Sequence, residues 1–93
     1  MTHDAIKLVL NIFHSGDLIA SRRITADEHD NRYAVVGYTE HIGHFSCIVD
    51  IGRVHAYQYV GRNHDELHDD NGRFSGRKCN AILADIKAKN QTA

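Results

Sequence analysis

Proline and tryptophan are absent from this chain, methionine occurs once and cysteine only twice. With no proline, no low-complexity tract and no repeat at a solenoid period, nothing marks an interdomain linker or a stacked array. Cys47 and Cys79 stand far apart and form no CxxC pair. That argues against a disulfide framework and leaves two buried thiols in a reducing compartment as the expectation. Charge of one sign is missing as well: 11 Lys and Arg face 12 Asp and Glu, a net charge of −1 with histidines neutral. Such a balance supplies no global positive field for nucleic acid and no acidic excess to imitate a polyanion. Long hydrophobic runs are also lacking. The apolar run in MTHDAIKLVLNIFHSGD is broken by Lys7 and Asn11, is too short to cross a bilayer, and has neither a basic leader nor a small-residue cleavage site. A cytoplasmic protein with no membrane attachment is the expectation.

What is present fits one soluble domain spanning residues 1–93. Its 42% hydrophobic and 25% charged residues are ordinary for a globular chain with a single modest core. Eight histidines are unusual at this length. Their full protonation would carry the formal charge from −1 to about +7, mostly near the unperturbed imidazole pKa of about 6.5. Stability and solubility should therefore depend on pH in mildly acidic conditions.

In IKLVLNIF, Ile6, Leu8, Leu10 and Ile12 alternate, which favours a strand. A helix is the rival, because Ile6, Val9, Leu10 and Phe13 form a helical stripe with Thr2 as N-cap. The strand is preferred, since HSGD then turns into LIASRRIT, where Leu18, Ala20 and Ile24 alternate. Residues 33–40 and 44–51 read as strands joined by a short Gly-containing loop. Gly52-Arg53 suits a two-residue type II′ turn into a third strand over 54–60. That turn sets a register in which Ile48 faces Tyr57, Asp50 faces His55 and Cys47 faces Gln58. One face then carries Ala34, Val36, Tyr38, Phe45, Cys47, Val49, Ile51, Val54, Ala56 and Val60 as core. The other carries Tyr33, Val35, Ser46, Ile48, Asp50, His55, Tyr57 and Tyr59.

In GRKCNAILADIKAKN, Cys79, Ile82, Leu83 and Ile86 recur at helical spacing, with Ser75 as N-cap and Lys87 and Lys89 near the C-terminal end. The fold expected is α+β: an antiparallel sheet of about five strands, a hairpin plus a three-stranded meander, with one C-terminal helix on one face.

Three motifs tempt. HIGH at 41–44 matches a signature of class I aminoacyl-tRNA synthetases, but FSCIVDI follows as a strand and no βαβ succession builds a nucleotide crevice. HDELH at 64–68 has the histidine spacing of a zinc-protease helix. Asp65 stands where the glutamate base belongs, Glu66 would point away from the histidines, and no apolar stripe supports such a helix. An extended run would instead align His64, Glu66, His68 and Asp70 as N and O metal ligands. The plainer reading is a solvated loop with a turn at DDNG, so no metal and no cofactor are assigned. Asp50 with His55 reads as a cross-strand charge pair, since no nucleophile stands beside it.

The face bearing Tyr33, Ile48, His55, Tyr57 and Tyr59 is the candidate partner-binding surface, because aromatics with few charges serve protein interfaces. Such a face also stacks unpaired bases, with Arg22, Arg23, Arg53 and Arg62 near it. The expectation is a non-enzymatic binding protein, an accessory regulator or inhibitor acting on a protein partner or as a homodimer. Single-stranded nucleic acid and metal rank behind.

Overall fold

A computed structural model describes residues 2–13, 16–53 and 57–91. The elements run α1 (Thr2–Phe13), β1 (Asp17–Arg23), β2 (Arg32–Thr39), β3 (Gly43–Asp50), β4 (Tyr57–Arg62), α2 (His64–Leu67) and α3 (Gly76–Lys89). The strands form one antiparallel sheet in the order β1-β2-β3-β4. The α+β class holds, with four strands among the described residues in place of about five and helices on both faces.

The first correction concerns residues 6–13. They are helical, and Ile6, Val9 and Leu10 are buried while Leu8 is exposed. The helical stripe wins over the alternation because the sheet needs a cover on its second face. Tyr33, Val35, Phe45, Cys47 and Val49 are buried with Ile6, Val9 and Leu10 in one cluster. The opposite face buries Ala34, Val36 and Ile48 against Ile24, Leu67, Cys79, Leu83 and Ile86. The sheet is thus sandwiched, α1 on one side and α3 with α2 on the other.

The second correction is the register of the last hairpin. Val49 lies opposite Tyr57 and Cys47 opposite Tyr59, one place from the expected pairing of Ile48 with Tyr57. The tight turn is Asp50–Arg53, closed by the Arg53 N–H donating to the Asp50 carbonyl at 3.2 Å. The Asp50 carboxylate also accepts the Gly52 N–H at 2.9 Å. Ile51 and Gly52 are therefore its central residues, and the link to β4 is longer than two residues. A one-place slip turns every side chain of the strand over, so Tyr57 and Tyr59 join the α1 face. The β2–β3 pairing also places Ala34 opposite Ile48, on the face away from Cys47 and Val49.

Both edge strands are bulged on the same cross-strand row. Ile19 is the extra residue between Leu18 and Ala20, and Val60 the extra residue between Tyr59 and Gly61, flanking the Val36–Ser46 pair. Bulges bend strands and blunt sheet edges. Gly37 lies beside that row, where a Cβ would meet the Phe45 ring at 2.8 Å.

As expected, α3 begins at Ser75, whose hydroxyl accepts the Lys78 N–H, and it turns Cys79, Leu83 and Ile86 inward. Residues 61–77 are not a loose connection. Leu67 is fully buried, His68 and Phe74 form a β-bridge, and the Ser75 N–H donates to the Leu67 carbonyl at 2.8 Å. Gly72 closes this loop at φ 77, a left-handed conformation that suits glycine.

Candidate functional site

The five residues expected on one binding face do not share it. Tyr33 is buried beneath α1 and Ile48 beneath α3, each only 7% exposed and on opposite sides of the sheet. His55, and with it the Asp50–His55 pair, lies outside the described residues. Tyr57 and Tyr59 do belong together, on β4 and on the α1 side. Phe13 at the end of α1 stacks on Tyr57, ring centroids 4.7 Å apart and planes 21° apart.

This leaves an aromatic strip, Phe13–Tyr57–Tyr59, along an edge strand. Within it Phe13 is 39% exposed, and Tyr59 and Val60 are each 45% exposed. On the other side of the same strand, Arg32, Ile48, Asp50, Tyr57 and Gln58 line a shallow depression of about 260 Å³. On that face α3 lies over β1 and β2. The two edges differ in chemistry. β1 carries Asp17, Arg22 and Arg23, whereas β4 has no charge from Tyr57 to Gly61. The signal missed in the sequence is the pair of apolar stretches Tyr33–Val36 and Phe45–Val49, the second interrupted only by Ser46. Continuous runs mean strands buried on both faces, which removes Tyr33 and Ile48 from any open surface.

Of the arginines named as phosphate contacts, Arg23 is consumed, and so is its neighbour across the β1–β2 link, Arg32, which was not among them. Arg23 donates to the carbonyls of Thr25, Asp27 and Asp30. Arg32 is held by Asp30 through Nε–Oδ1 at 2.9 Å and Nη2–Oδ2 at 2.8 Å. Beside this guanidinium the Asp30 carboxyl is kept far below the usual carboxylate range, against the opposing effect of its burial. Neither arginine is a free cation for a polyanion.

The histidine-rich stretch forms a second feature at the other end of the sheet. Residues 64–67 make one helical turn, so the extended run that would align His64, Glu66, His68 and Asp70 is not formed. Among the described residues no group of three His, Cys, Asp or Glu side chains is set to hold a metal ion. Instead the rings stack. His64 and His68 lie 4.2 Å apart at 18°, and His44 meets His68 edge-on at 4.7 Å. His44 also stacks on Phe74 at 4.7 Å and approaches Tyr38 at 4.9 Å. Of the HIGH residues, only His44 joins this pack; His41 is exposed. Burial, then the neighbouring His68 and His64, push the His44 imidazole below its ordinary pKa.

Cys47 is not an activated nucleophile. Cys47 is fully buried, and burial pushes its thiol up to about 12, the opposite of what a reactive cysteine needs. Among the described residues no helix is long and apolar enough to cross a membrane. No family model, no characterised protein and no solved structure matches the chain.

Proposed function

We propose that the chain is a non-catalytic binding protein, an accessory regulator or inhibitor that acts by protein–protein contact. Its partner docks as an extended segment on β4, against Phe13, Tyr57 and Tyr59. One observation carries the reading: Tyr59 and Val60 are each 45% exposed on an edge strand uncharged from Tyr57 to Gly61. Sheet edges that are not meant to pair are usually blunted with charge. Here β1 is charged at both ends, whereas β4 carries charge only at its last residue, Arg62. An added strand gains main-chain hydrogen bonds for affinity and side-chain contacts for specificity. The Val60 bulge closes the open edge at one end and so fixes the partner's register. Aromatic residues at such a site supply contact area at small entropic cost.

The test pairs capture with a surface variant. Proteins retained from the native cell by the wild-type chain are identified, and their affinity is measured for wild type and for Tyr59→Lys with Val60→Lys. Both residues are half-exposed, so the melting point should hold. Binding should weaken about tenfold or more, and the amides of 58–60 should become protected in the wild-type complex. Equal affinity, or protection confined to another surface, overturns the proposal. A second copy as partner would appear as a dimer in sedimentation that the same variant dissociates.

A further inference from the structure

The histidine pack lies apart from the β4 edge and answers to a different variable. Its rings belong to three elements: His44 to β3, His64 to α2, and His68 with Phe74 to the loop over residues 68–75. Within that loop the Asp69 N–H donates to the Arg73 carbonyl and the Asp69 carboxylate accepts the N–H groups of Asn71 and Arg73. The loop is therefore tied to itself and to α2. Its attachment to the sheet is narrower. It runs through the buried Leu67, the Asn63 N–H donating to the His44 carbonyl at 3.4 Å, the Ser46–Asn63 side-chain hydrogen bond and the rings that meet His44.

The charges around this pack are arranged so that cations are poorly served at its centre. A proton on His64 has Asp65 beside it, 3.4 Å from Nδ1, and solvent around it. His68 Nδ1 already donates to the His64 carbonyl at 2.6 Å. Lys78 brings a permanent ammonium to the His68 carbonyl at 2.6 Å and to the Asp65 carbonyl at 3.3 Å. Glu66 is bonded to Asn63, and Asp69 is committed to its own loop amides. The other ionisable groups on the surrounding elements are Tyr38 on β2, Arg62 at the end of β4, Asp70 and Arg73 in the loop, and Arg77 on α3. No carboxylate forms an ion pair with His44 or His68 among the described residues.

We propose that the His44–His68–His64 stack is a pH-released latch: a neutral His44 ring holds α2 and the 68–75 loop on the sheet, and its protonation frees that segment while the sheet and α3 stay folded. Two imidazolium rings at these spacings repel; Asp65 offsets charge only at His64, and Lys78 adds a charge of the same sign beside the His68 carbonyl. Burial reinforces the effect at His44, which resists protonation while it is packed. The sign follows from linkage. A histidine whose folded pKa is depressed contributes stability that is complete above the unfolded value of about 6.5 and declines as pH falls below it. Releasing the segment would uncover Leu67 and take away the Glu66 wall of the open groove of about 330 Å³ that it forms with Lys78, Ala81, Ile82 and Asp85. The latch rests on the ring geometry and stands whether or not β4 binds a partner.

Amide hydrogen exchange on the full chain tests it, with protection factors compared at pH 7.5 and pH 5.0. The N–H groups of His68, Asp69 and Ser75, all hydrogen-bonded, should lose protection roughly fivefold or more, the size of one like-charge contact at this spacing in water. The amides of β2 and β3 should keep theirs. His44→Phe retains a ring against Phe74 and removes the charge, so the pH response should disappear while protection at pH 7.5 remains. If that variant fails to fold, His64→Gln serves instead: removing one neighbouring cation should raise the His44 titration midpoint followed by ring NMR. Unchanged protection between the two pH values, or an undiminished response in His44→Phe, overturns the latch; so does an unmoved His44 midpoint in His64→Gln.

Discussion

The Ser46 hydroxyl on β3 donates to the Asn63 side-chain oxygen across 2.6 Å, joining the centre of the sheet to the start of α2. Ser46 is fully buried, whereas Asn63 is half-buried and passes its amide on to Glu66 at 2.9 Å. The two ends of this bond are therefore unequal. Ser46→Ala leaves an acceptor that water can reach, at a cost of about 1 kcal/mol. Asn63→Ala strands a buried hydroxyl and should cost more, about 1–3 kcal/mol. Urea unfolding of both variants gives the order directly. A larger loss for Ser46→Ala would mean that water already serves the hydroxyl.

Asp30 organises the link between β1 and β2. Its carboxylate accepts from the Arg32 N–H, the Arg32 guanidinium and the Thr25 hydroxyl. With the Asp30 side chain 15% and that of Arg32 34% exposed, solvent screens part of the interaction. Asp30→Asn should cost about 1–2 kcal/mol at pH 7. The folded pKa is depressed, so the contribution is complete above the unfolded value of about 3.9 and declines as pH falls below it. The gap in stability between wild type and Asp30→Asn should hold from pH 7 to about 4.5 and close at lower pH. A gap that narrows between pH 7 and 5 would assign it to the histidines instead.

The sheet and α3 were readable because their patterns have one solution. Cys79, Leu83 and Ile86 make a single inward stripe behind a serine cap, and the short loop from β2 ends at Gly43, the first residue of β3, at φ 85. The residues 6–13 had two solutions, since an eight-residue apolar stretch satisfies period two and a helical stripe together. Only the demand of the second sheet face chooses between them. That demand was present in Tyr33–Val36 and Phe45–Val49, runs without alternation. The binding face failed for a smaller reason. Val49, in place of Ile48, pairs with Tyr57, and that one-place change of pairing exchanges the two faces of β4. The histidine stack could not be read from spacing, because His44 meets His68 only after residues 62–75 fold back.

Gly37 is required by its neighbours. A Cβ there would lie 2.8 Å from the Phe45 ring and 3.0 Å from the Asp17 carbonyl. The ring belongs to the fully buried centre of the α1 cluster, so it has little room to move. Gly37→Ala should cost about 1–3 kcal/mol as overpacking, read as a lower denaturant midpoint with an unchanged slope. Gly76→Ala is the control, since a Cβ there meets nothing within 4 Å. It should leave the midpoint in place or raise it slightly, because helix α3 begins at that residue.

The two free cysteines report separately on the two sides of the sandwich. Cys47 lies under α1 and Cys79 on α3, both buried, and burial raises both thiols above their ordinary pKa. Neither should react with a thiol reagent at pH 8 until its cover opens. Leu10 is fully buried beside Cys47, and Leu83 is 1% exposed beside Cys79. Truncation of such a leucine to alanine costs about 2–5 kcal/mol, on the order of thirtyfold or more in the population of an open state. If each helix can lift alone, Leu10→Ala accelerates labelling of Cys47 over Cys79, and Leu83→Ala does the reverse. Equal acceleration of both thiols in both variants would mean that α1, the sheet and α3 open only as one cooperative unit, which would exclude a locally mobile α1 beside the Phe13–Tyr57 strip.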